Sequence, residues 1–207
     1  MKLYPIQCGN FKLDGGAMFG VVPKSLWERT NPADSKNLIE LGTRSLLVED
    51  GKKLILIDCG LGNKQDEKFF GHYSLYGDES LDKNLKKFGF VREDITDVFL
   101  THLHFDHCGG AIEWNDDKTG YRPAFKNAQF WTNENHWQWA TEPNPREKAS
   151  FLKENILPMQ ESGQLQFLPT PKTGNYGFAP DLKMDVIFVD EKTKKQMLPV
   201  IQYQEKT

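Results

Sequence analysis

A chain of 207 residues is long enough to bury a sizeable core, in one domain or two small ones. Its net charge of −3 is close to neutral and speaks against a broad basic face for nucleic acid. Three widely spaced cysteines without a Cys-x-x-Cys pair speak against a disulfide framework, and no apolar run reaches membrane-spanning length.

The chain starts Met1-Lys2-Leu3-Tyr4-Pro5, without an apolar signal segment, which sets the expectation of a cytoplasmic protein. Leu3 to Leu13 reads as a strand closed by Gly15-Gly16. Arg44 to Glu49 and Lys53 to Asp58 read as strands joined at Asp50-Gly51, a strong hairpin signal. Asp78 is the expected cap of a helix from Glu79 to Phe88, with Leu81, Leu85 and Phe88 on one face and Gly89 at its end. Asp97 to Leu100 and Gln129 to Trp131 are strands, and a short helix follows Asn133. Asn144, Pro145 and Glu147 form a capping-box pattern that predicts a helix running to about Leu157. Strands follow at Leu165 to Leu168, Leu182 to Val189 and Gln196 to Tyr203. Strands interleaved with helices predict an α/β fold.

The chemistry is concentrated in Thr101-His102-Leu103-His104-Phe105-Asp106-His107, directly after the apolar run Val98-Phe99-Leu100. It holds three of the chain's five histidines and one carboxylate. Neutral imidazole and carboxylate are donors suited to a borderline divalent ion such as zinc. Extended backbone puts His102 and His104 on one side, and Asp106 and His107 follow where the chain turns toward a neighbouring position. Gly109 and Gly110 are expected to let the backbone turn tightly behind them. Cys108 reads as a small packing residue. In the cluster Trp131, His136, Trp137 and Trp139, His136 and Trp139 could line a pocket, but Trp137 and its neighbours packing a helix on the sheet is the favoured reading.

His-x-His-x-Asp-His after an apolar strand resembles the metallo-β-lactamase-fold metallo-hydrolases, and the whole pattern is most similar to their lactonase-like bacterial branch. The run Leu54-Ile55-Leu56-Ile57-Asp58-Cys59-Gly60 adds to the resemblance, which extends from the N-terminus to about Tyr203. It implies a metallo-β-lactamase-type αβ/βα sandwich, here as one domain over residues 1–207 containing the N-terminal half and the first strands of the second half. It implies two zinc ions, with His102 and His104 at one and Asp106 and His107 at the other. Asp106 takes the catalytic assignment, and Asp58 holds the motif loop by hydrogen bonds from behind. The implied function is hydrolysis of a lactone, ester or related acyl bond in a small-molecule substrate by metal-activated hydroxide. His72, Tyr73 and Tyr76 fall in a loop that, by the same resemblance, covers the site.

The resemblance also implies later ligands that the sequence does not supply. Lys192 stands where a third His would follow the strand ending near Asp190, and an ammonium has no lone pair for a metal. Asp181, Asp185 and Asp190 are carboxylates outside motif positions. The second reading is therefore a C-terminally truncated, catalytically impaired homologue that binds a metal or a partner. Its unpaired sheet edge would favour self-association. The Lys-rich stretch Glu191 to Lys195 reads as a solvated turn.

Overall fold

The computed structural model describes residues 1–169 throughout and, after them, the backbone of three short strands. Strand β1 (Lys2–Asp14) pairs antiparallel with β2 (Leu38–Asp50) from Lys2↔Glu49 to Asp14↔Leu38, with a shift of register between Gln7 and Gly9. Between them lie α1 (Gly15–Phe19), capped by Asp14, and α2 (Lys24–Trp27). The strand closes at Gly15 as expected, and Gly15 opens the helix. A Cβ there would lie 2.4 Å from the Trp27 ring, so the glycine makes room for the indole. Strand β3 (Lys53–Ile57) follows through the expected hairpin, with Asp50↔Lys53 as the last pair and Gly51 at φ 57° in the tip.

Helices α3 (Glu67–Tyr73) and α4 (Leu81–Lys87) precede β4 (Asp97–Phe99). The motif loop then holds α5 (Phe105–Cys108), and the hairpin of β5 (Ile112–Trp114) and β6 (Tyr121–Pro123) leads to β7 (Gln129–Asn133). Helices α6 (Glu134–Thr141) and α7 (Lys153–Glu161) and strand β8 (Leu165–Leu168) follow. The main sheet has the order β1-β2-β3-β4-β7-β8, and β3, β4, β7 and β8 run parallel. Ile55, Leu56, Val98 and Phe99 are all fully buried, which is why β3 and β4 read as unbroken apolar runs. Leu56 and Val98 share one core with Leu85, Ile95, Phe125, Phe130 and Ile156.

Two helix starts differ from expectation. Helix α4 is capped by Ser80, whose hydroxyl accepts from Lys83 N at 3.3 Å, while the Asp78 carboxylate takes the Lys83 ammonium. Asn144 does cap, accepting from Arg146 N and Glu147 N, but the turn closes after Lys148–Ser150. Phe151 and Leu152 are extended, which turns the Phe151 ring inward to burial, and α7 starts only at Lys153.

A second sheet of order β11-β10-β9 contains β9 (Tyr176–Ala179), β10 (Met184–Phe188) and β11 (Met197–Ile201), antiparallel throughout. The strands expected over Leu182 to Val189 and Gln196 to Tyr203 are the latter two, and β9 is additional. Lys192, with the stretch Glu191 to Lys195, Asp181 and Asp190, lies outside the described residues.

Candidate metal centre

Three loops leave the carboxyl ends of the parallel strands β3, β4 and β7, the end at which open α/β sheets build their sites. Asp58 comes first after β3, at φ 57°. Its backbone N–H donates to Phe99 O at 2.9 Å, and Cys59 N donates to His107 O at 2.8 Å. Gly110 N returns a bond to Gly60 O at 2.9 Å, so two loops are laced main chain to main chain. A Cβ on Gly110 would stand 2.2 Å from Cys59 O, and one on Gly109 2.0 Å from Leu61 O. Gly109 itself has φ −58°. Close approach of the two backbones, and not a tight turn, is what requires these glycines.

The Asp58 carboxylate orders the histidines. Its Oδ1 accepts from Thr101 N at 2.9 Å, and its Oδ2 lies 2.8 Å from both Thr101 Oγ1 and His107 Nδ1. A carboxylate only accepts, so His107 carries a proton on Nδ1, and in its neutral form the lone pair is on Nε2. The Thr101 hydroxyl donates to Asp58, and its oxygen accepts from His102 Nδ1 at 3.1 Å, which frees Nε2 of His102 in the same way. The ring of His102 lies 3.9 Å from that of His107 and 4.6 Å from that of His104, centroid to centroid. His107 Nε2 is 3.5 Å from Asp106 Oδ2. The four motif residues are thus brought together, with Asp58 behind them.

Burial pushes the His102 imidazole down to about 2, with the neighbouring His107, His104 and His136 adding to the effect. Burial also lowers His104. Both are neutral at physiological pH and keep lone pairs. Burial acts the same way on His107, but the hydrogen bond and charge of Asp58, with Asp106, outweigh it and raise its pKa. Burial pushes the Cys108 thiol up to about 12, and the thiol hydrogen bonds to Leu103 O at 3.3 Å. A protonated, fully buried thiol fills space, as expected.

The surroundings revise two expectations. His136 is fully buried, and its Nε2 accepts from Leu103 N at 2.7 Å, so it positions the motif backbone where it was expected to line a pocket or pack. Trp137 does pack α6 on the sheet. His72 and Tyr73 are on α3, not in a loop. His72 is exposed, while the Tyr73 ring sits 4.6 Å from Phe105. The structure also reveals Lys64, buried beneath the loop, with its ammonium donating to Gly109 O. Asn133 capping α6 was the only local signal near His136. A bond spanning 33 residues, and one spanning 45 in the case of Lys64, leaves no trace in sequence spacing.

The profile of the metallo-beta-lactamase superfamily matches residues 38–173, and the chain belongs to that superfamily. Its fold is similar to that of a "probable metal-dependent hydrolase" from Staphylococcus aureus, at 27% identity and a TM-score of 0.84, over 98% of this chain and 69% of that one. It is also similar to AidC, a dizinc quorum-quenching lactonase, at 21% identity and a TM-score of 0.68, over 99% of this chain and 68% of AidC. A 70-residue segment, 34% of this chain, is 33% identical to the transcription termination factor FttA of Methanocaldococcus jannaschii. The chain spans only 9% of that curated relative's length.

The superfamily implies a metal, and the donor chemistry fits one. The neutral forms of His102 and His107 have their lone pairs on Nε2, and His104 Nε2 is buried without a hydrogen-bond partner among the described residues. The arrangement is not a finished coordination set. Among the described residues no group of three or more His, Cys, Asp or Glu is placed to hold an ion.

Proposed function

We propose that the chain is a metal-dependent hydrolase of lactone, ester or related acyl bonds in a small molecule. His102 and His104 would hold one zinc ion, and Asp106 and His107 a second. The observation carrying this reading is the set of three imidazoles gathered after β4, with Nδ1 of His107 held by Asp58 and Nδ1 of His102 by Thr101, which leaves Nε2 as the donor atom of each neutral ring. When bound, zinc supplies Lewis acidity and lowers the pKa of water toward neutrality, the chemistry that acyl hydrolysis needs. This chain's own residues supply the rest. Asp58 and Thr101 fix the tautomers, His136 fixes the loop backbone, and Tyr73 with Phe69 packs against Phe105 of the motif helix.

The test is turnover of simple lactones and esters by purified, zinc-supplemented chain. Chelator-sensitive hydrolysis that Asp106→Asn reduces by at least a hundredfold is expected. Hydrolysis indifferent to both would overturn the reading. One observation favours a second reading, a homologue that binds a metal or a partner without catalysis: the absence of three convergent donors among the described residues. On that reading zinc binds and no ester is cleaved. The setting proposed for either reading is cytoplasmic, and no helix among the described residues is long and apolar enough to cross a membrane.

A further inference from the structure

We infer that Lys64 is a positioning residue of the metal centre: its ammonium draws the exit of α5 against the loop that follows β3, and so sets where Asp106 and His107 stand. This rests on the metal-site part of the reading above and adds a residue to it. The loop after β3 grips the end of α5 at three points. Cys59 N donates to His107 O at 2.8 Å, and Gly110 N donates to Gly60 O at 2.9 Å. Between them, Gly109 O takes the Lys64 ammonium. Gly109 is itself tied to the motif helix, because its N–H donates to Phe105 O. A Cβ on Gly62, at φ 70°, would stand 2.5 Å from Gly109 O, so the turn that delivers Lys64 runs directly over that carbonyl. Trp114 Nε1 donates to Lys64 O at 3.0 Å and holds the backbone of Lys64 from β5. The same loop carries Asp58, whose carboxylate bonds His107 Nδ1 at 2.8 Å. Closing the two loops on each other and orienting that imidazole are therefore coupled.

Stability alone does not account for this lysine. It is 4% exposed, and among the described residues no carboxylate lies within ion-pair distance of it. Glu154 acts on it electrostatically without touching it, and burial lowers its pKa to about 8, so at pH 7 it is still mostly an ammonium. Taking that charge out of water costs more than one hydrogen bond to a neutral carbonyl returns. A well-packed apolar side chain of similar volume is commonly neutral or stabilising at such a position. Nor does the charge itself favour a metal, since a cation repels a dication. What remains is the geometry the ammonium imposes, a long stem reaching through one loop to a carbonyl two residues beyond His107. Supporting contacts of this kind hold a ligand set in its productive arrangement.

Three roles give three different outcomes in Lys64→Met, which keeps the stem and removes the ammonium. Zinc affinity is measured at pH 7 by competition with a chelating dye, and stability of the metal-free chain by urea unfolding. Positioning predicts unfolding at the same or a higher urea concentration, with zinc affinity at least tenfold weaker. It also predicts a changed visible spectrum of the cobalt(II)-loaded variant, because the donors have moved. A charge acting at a distance would instead strengthen zinc binding when removed, and that result would overturn the inference. A residue needed only for folding would lower stability and affinity together, which would overturn it equally, as would a variant that fails to fold. Zinc affinity and cobalt spectrum equal to those of the wild type would sink the inference alone and leave the metal site standing. A wild type that takes up no zinc would overturn the metal-site reading and this inference with it.

Discussion

At the scale of single residues, Asp58 is the hinge of the account, because one carboxylate sets the proton positions of two histidines. Asn at this position tolerates the positive φ, so Asp58→Asn isolates the chemistry from backbone strain. An amide must turn its NH₂ either toward Thr101 N, donor against donor, or toward His107, whose Nδ1 then accepts and whose proton moves to Nε2. The expected cost is about 1–3 kcal/mol in chemical denaturation. A loss of about 10–100-fold in zinc affinity is expected by competition with a chromophoric chelator. Unchanged affinity would mean that His107 does not depend on this bond. Lys64 gives a prediction in pH. Burial lowers its pKa from 10.5 to about 8. Between those values the unfolded chain holds the proton and the native chain does not, so stability gains with rising pH. The wild type minus Lys64→Met difference should climb by on the order of 3 kcal/mol across that window in urea titrations. A flat difference would show that the buried amine is hydrated. The motif residues and Asp58 were legible because donor types and a strand end are local features. Lys64, Thr101 and His136 were not, since each acts through a partner that only the fold brings near.

At the scale of elements, local grammar named eight of the eleven described strands but only three of the seven described α-helices, and it misplaced two helix starts. Asp78 and Ser80 are both good caps two residues apart, and the tie is broken by Lys83, whose ammonium holds the Asp78 carboxylate. Ser80→Ala should therefore cost about 1 kcal/mol, and Asp78→Ala less, by thermal or urea unfolding. The reverse order would restore the cap to Asp78. The capping box at Asn144 is present but governs one turn, because burial of Phe151 against His104, at 4.8 Å between centroids, outweighs helix continuation. Tertiary packing of this kind is invisible to a reading of caps. The Gly109-Gly110 pair was correctly singled out for the wrong reason. Gly110→Ala places a methyl against Cys59 O, so the mutant should unfold at lower denaturant and lose zinc binding together. A mutant of normal stability would show that the two loops can separate without cost.

At the scale of the whole molecule, the sheet itself explains where the site is. Antiparallel β1 and β2 flank a parallel block, and every side chain that orders the centre follows the carboxyl end of β3, β4 or β7. The α/β class and the superfamily were readable from one motif and one preceding strand. The number of donors at each position was not readable, because it depends on segments whose approach to the loop is set by the global fold. The central claim is that this cluster is a metal site. It is tested most directly by measuring zinc bound per chain at equilibrium in the wild type and in the double variant His102→Ala, His104→Ala. The account predicts uptake by the wild type and at least a tenfold loss of affinity in the variant. Equal uptake by the two proteins would contradict it.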